Sequence, residues 1–161
     1  MKHILPFFTI FLLLAFQSEP HSKTKIDAHN PIFNKFNEPI DFATINANHI
    51  TQATDSIKSL TNAAIAKIIA IDNNQRTFDN TMLEIDNLSA ELEKVHSVIY
   101  LMGNTHTDSI IRSTALNSSN LLSQYGNEIS LNEELYNAVK VYSHSNDAKN
   151  LKGYKAKFLK E

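Results

Sequence analysis

The chain has 161 residues, a net charge of −2 and no Cys. That length supports one domain with a real core. The charge leaves no basic footprint for nucleic acid, and the missing Cys excludes disulfides, Cys-liganded zinc and thiol catalysis. All four Pro lie at or before position 39, and the following 122 residues contain none. A Pro-free run favours helices, because Pro removes a backbone donor and breaks them.

Lys2 and His3 precede "ILPFFTIFLLLAF", 13 residues in which only Pro6 and Thr9 interrupt the apolar run. The run is short for a bilayer span and suits a secretory signal over residues 1–17. Two cleavage patterns stay open: Ala15 at −1 with Leu13 at −3, or Ala15 at −3 with Gln17 at −1. Cleavage after Gln17 removes Lys2 and no acid, which takes the net charge to −3. The expectation is an exported protein, periplasmic or secreted, with no membrane association once the signal is cleaved. The alternative is retention at the membrane by an uncleaved segment. No Cys follows the run, so a lipidated Cys is excluded.

Residues 18–45 read as a linker and an extended arm. "SEPHSKTK" is tether-like. In "NPIFNKFNEPIDFATI" two X-Pro steps bias Asn30 and Glu38 away from the helical region. Its Ile and Phe residues follow no period, as in an arm that tucks aromatic side chains into a helical body.

From residue 46 to 161 the period is helical. Ile50, Ala53, Ile57, Leu60, Ala64, Ile68 and Ile71 step by three or four, one face of a helix. Asn46 is its N-cap, with Ile45 and Ile50 as the staple, and the polar turn near Asp72 its end. A second helix is capped by Thr77 or Asp79, with Thr81 and Glu84 at capping-box spacing. Its face is Phe78, Met82, Ile85, Leu88, Leu92, Val95, Ile99 and Met102, and Gly103 is its expected end. A third begins near Thr107 or Asp108 and carries Ile110, Ile111, Ala115, Leu121, Leu122, Tyr125 and Ile129. It has a weak polar centre at "NSSN", and Gly126 is a candidate early break. A fourth starts at Asn132, with Glu133 and Glu134 well placed against the helix dipole. Leu131 and Tyr136 form its expected staple, and Leu135, Val139 and Tyr142 its face. The basic tail "KNLKGYKAKFLKE" suggests a short further helix, with Gly153 against it. Short connections favour antiparallel neighbours. The expected fold is all-α, an antiparallel bundle of about four helices behind an extended N-terminal arm.

Seven His invite a metal hypothesis. Zincin chemistry needs His-Glu-x-x-His, so that two His share a helix face and the Glu polarises the water. No His here is followed by Glu, and no two are three or four residues apart. His96 and His106 flank an expected turn and would meet across it, but two ligands make no site. Asp86, Glu91, Glu93, Glu128, Glu133 and Glu134 read as a solvated face. No nucleophile elbow or phosphate-binding Gly loop is present. No catalytic, cofactor-binding or metal-binding residue is assigned. The paired Ile110 with Ile111 and Leu121 with Leu122 widen one helix face, a sign of a second contact surface.

Three blocks carry a resemblance: "NPIF" with "FNEPIDFATINANHI", then "TFDNTMLEIDNLSAELEKVHSVIYLMGNTHT", then "LSQYGNEISLNEELYNAVKVY". In order and spacing they resemble the N-terminal region of thimet oligopeptidase-like zinc metallopeptidases, a family that includes oligopeptidase A and bacterial peptidyl-dipeptidase. The likeness covers about residues 30–145 and weakens after Asn150. It implies a helical region that forms part of the wall of a deep peptide-binding channel. In that family zinc sits far downstream, in a His-Glu-x-x-His helix, where a zinc-activated water attacks the peptide carbonyl with the motif Glu as base. No counterpart of those residues lies in this sequence, so none carries over. The expected function is that of a truncated, inactive N-terminal region of an exported oligopeptidase. Zinc belongs to the complete enzyme only. A separately encoded catalytic part and short peptides are the expected partners, and nucleic acid is not. A stand-alone helical module that binds peptides or a protein is the alternative, and an unrelated exported bundle the third reading.

Overall fold

The computed structural model describes residues 30–35 and 37–160. Residues 1–17, expected as a signal, and residues 18–29 of the expected linker lie outside the described residues. Among the described residues six α-helices follow in order: α1 Ala47–Ile69, α2 Glu84–Thr105, α3 Ser109–Ser130, α4 Glu133–Ser143, α5 Asn146–Lys149 and α6 Gly153–Phe158. The described residues contain no strand. The fold is an all-α antiparallel bundle of four principal helices.

Helix α1 starts at Asn46, whose side chain accepts a hydrogen bond from the His49 amide at 3.0 Å. Its buried face holds Ile50, Ala53, Ile57, Ile65 and Ile68, with Thr54, Ser56 and Thr61 also buried. Leu60, expected on this face, is 40% exposed. It stands roughly 60° round the helical wheel from Ile57, on the side away from Thr61 and Ile65. The helix ends at Ile69, and Arg76 closes it. The guanidinium donates to the Ile68 carbonyl at 2.9 Å and the Ile69 carbonyl at 3.1 Å. Both lie in the last turn, where carbonyls lack an intrahelical i+4 amide, and the Ile68 carbonyl also accepts from the Ile71 amide at 3.3 Å.

Thr77 is the next cap. Its hydroxyl accepts from the Asn80 amide at 3.2 Å, and the Asn80 side chain accepts from the Thr77 amide at 2.8 Å. The capping box is therefore Thr77 with Asn80, not Thr81 with Glu84. Thr81 is fully buried, and its hydroxyl donates to Asn80. Residues Phe78–Leu83 form a π-helical turn that runs into α2.

Gly103 does not end α2, which continues to Thr105. A Cβ at Gly103 would lie 3.1 Å from the Leu116 side chain and 3.2 Å from the Leu116 amide nitrogen of α3. The glycine serves close helix approach here rather than termination. Gly126 likewise does not break α3. Asp108 caps α3, accepting from the Ile110 amide at 2.7 Å and the Ile111 amide at 3.2 Å. Two backbone donors hold its carboxyl below the usual carboxylate range.

Asn132 caps α4 through the Leu135 amide at 2.8 Å. Leu135 and Tyr142 are buried, as the pattern requires. The expected staple fails: Leu131 is 80% and Tyr136 63% exposed. The tail forms one short helix, α6, just after the short α5, and Gly153 opens α6 with a φ of +61°, a region glycine enters without steric cost.

The core has three parts. Ile50, Ala53 and Ile57 of α1 meet Val95, Ile99 and Met102 of α2, with Ala115 and Leu122 of α3. Ile65 and Ile68 meet Leu88 and Leu135 at the other end. The start of α1 thus packs on the end of α2, which is antiparallel. Buried Ile32 and Ile45 from the residues ahead of α1 join the first cluster. Phe78, Tyr142 and Ala148 form the third, where the tail meets the π-turn.

Candidate functional site

Helix α2 runs through His96 and reaches His106 at its C-cap. Ten residues of helix separate them by about 15 Å, because each residue rises about 1.5 Å. The expected meeting across a turn does not occur. His106 Nδ1 instead accepts from the Asp108 amide at 3.0 Å. Among the described residues no group of three or more His, Asp or Glu can hold a metal ion. Asp86, Glu91, Glu93, Glu128, Glu133 and Glu134 are all exposed, as expected of a solvated face.

His96 makes the arrangement nearest to catalytic geometry. Its Nε2 lies 2.9 Å from Ser119 Oγ and 3.4 Å from Ser123 Oγ, two serines one turn apart on α3. Ser119 comes from the "NSSN" centre and is 5% exposed. A nucleophilic serine also needs oxyanion donors and an orienting group on the base. Ser119 sits mid-helix, where neighbouring amides bond within the helix. The described residues place no carboxylate on His96. The contact joins α2 to α3 and satisfies buried polar groups, which a packed interior requires.

A concave feature lies between α2, α3 and α4. It is an open groove of about 470 Å³, within the size range of small-ligand sites. Ile85, Leu88 and Leu92 of α2 form one side, Leu135 and Val139 of α4 the other, with Ile129 of α3. Ser89, Glu93, Ser130 and Asn132 supply polar groups. Tyr136 stands at the border, and the Lys140 ammonium lies 5.8 Å from its ring centre. The groove can hold an apolar side chain and offer a few hydrogen bonds to a polar backbone. It places no acid–base pair for chemistry.

Sequence periodicity marked each wall as a core face and so missed the groove. The short connection at 131–132 joins only α3 to α4, so no local spacing marks the approach of α2. The widened face of α3 divides as follows: Ile110 is 68% and Leu121 49% exposed, whereas Leu122 is buried and Ile111 half-buried.

No family model matches the chain, and neither curated proteins nor solved structures yield a match.

Proposed function

We propose that this chain is a non-catalytic helical wall of the thimet oligopeptidase type, part of an exported system that holds short peptides. The groove between α2, α3 and α4 carries the reading, being apolar in its walls, sparsely polar at its border and empty of paired acid and base groups. The blocks that resemble the family also contain the helix caps: Asn46, Thr77 with Asn80, and Asn132. In a complete enzyme of that type, zinc and its general base come from other sequence, and the residues described here contribute surface.

The test is incubation of purified chain with unstructured peptides, with and without zinc. No zinc-dependent cleavage is expected. Cleavage that survives removal of contaminating peptidases would sink the proposal. The groove also favours a second reading, a module that binds peptides by itself. Calorimetric titration with short apolar peptides separates the two. Binding by the isolated chain, lost in Leu92→Glu, supports the module. No binding until a catalytic part is added supports the wall.

A further inference from the structure

Charge is distributed very unevenly along this chain. Residues 149–160 contain Lys149, Lys152, Lys155, Lys157 and Lys160 and no acid. That segment carries +5, and the other residues together carry −7, which gives the net −2. Lys155 has a structural task. It pairs with Asp79 at 2.6 Å, and its ammonium lies 4.9 Å from the Phe78 ring centre. Phe158 packs edge-on against Phe78 at 5.7 Å. Leu151 and Leu159 pack on the same cluster. These contacts fix α6 to the body by one side. Lys149, Lys152 and Lys160 are exposed, and Tyr154 of the same segment is 76% exposed.

We propose that residues 149–160 form a docking face for an anionic bilayer surface. Each Lys close to such a surface strengthens partition by roughly fivefold. Tyrosine settles at the headgroup level, where its ring and hydroxyl are both accommodated. The segment holds no Arg, the residue suited to bidentate phosphate recognition, and no series of aromatic rings for stacking bases. A lipid surface asks for neither. It takes exposed ammonium groups close together in sequence, on a segment anchored to the body by Lys155, Phe158, Leu151 and Leu159. The inference is independent of the peptide-holding reading.

The experiment sediments the full chain with vesicles of phosphatidylcholine alone, or mixed with phosphatidylglycerol. Binding is expected on the mixed vesicles only, and it should weaken as salt rises. The triple variant Lys149→Glu, Lys152→Glu, Lys160→Glu should lower partition roughly a hundredfold or more. The matching Lys→Arg triple should keep it. All three positions are exposed, so helicity by circular dichroism should not change. Tyr154→Ser should weaken binding several-fold. Equal binding to neutral vesicles, or a triple variant that binds as well as the parent, overturns the proposal. So does equal salt-dependent affinity for a single-stranded oligonucleotide.

Discussion

Asp147 and Phe78 stand 69 residues apart and share one hydrogen bond, from the Phe78 amide to Asp147 Oδ2 at 3.0 Å. The same oxygen accepts from the Tyr142 hydroxyl at 2.9 Å. One carboxylate thus satisfies a free amide at the start of the π-turn and a phenol on a fully buried residue. It ties the tail to the bundle. Asp147→Ala leaves both donors without a partner and should cost about 2 kcal/mol in urea unfolding. Asp147→Asn retains an acceptor oxygen and should cost less. Equal losses in the two variants would show that the hydrogen bonds do not matter.

The same junction responds to alkali. Burial, followed by the bond to Asp147, pushes the Tyr142 phenol up from its ordinary 10.0. The bond to Asp79 raises Lys155 from 10.5. Both groups hold their protons more tightly in the fold than in the unfolded chain. Their contribution is present below pH 10 and is lost as pH rises through the raised values. Urea midpoints should fall above about pH 10, and Tyr142→Phe should flatten part of that fall. A parent midpoint constant across this range contradicts the assignment.

Two glycines in helices should respond oppositely to the same substitution. Gly126→Ala meets nothing within 4 Å. It should stabilise by about 0.5–1 kcal/mol, because alanine restricts the unfolded chain and suits a helix. At Gly103 the added methyl would lie 3.2 Å from a backbone nitrogen of α3. The propensity gain is then offset by a forced shift of two packed helices. Gly103→Ala should be neutral to destabilising, and Gly103→Val should cost about 2 kcal/mol or more. Thermal unfolding of the three variants decides it.

Asp108 caps α3 most strongly as a carboxylate. Its value is held below 3.8 by the Ile110 and Ile111 amides. Its contribution is complete above that ordinary value and is lost as pH falls through the lowered one. Hydrogen exchange at the start of α3 should therefore quicken in strong acid. Asp108→Asn keeps a capping oxygen and should remove that acid dependence. An unchanged dependence in the variant would assign it elsewhere.

Much of the helical plan was legible in the residues. Asn46, Thr77, Asp108 and Asn132 announce helix starts because each side chain bonds an amide within three residues. Gly103 misled, because a glycine reads the same whether it ends a helix or admits a neighbour, and Gly126 stands in open space within α3. The spacing suggested a staple between Leu131 and Tyr136, yet both remain exposed. A staple depends on the angle at which the preceding chain arrives, and α3 sets that angle.

The sequence alone determined the all-α class, the helix starts and the lack of any zincin motif, since these rest on spacings within a few residues. The tertiary structure decided the rest. It set Arg76 on the end of α1, Gly103 against Leu116, Ser119 on His96, and Asp147 under Phe78. It also opened the groove between α2, α3 and α4. Except for Arg76, these pairs lie more than ten residues apart along the chain, and only packing brings them together. A local pattern records which face of a helix is apolar and not which partner covers it.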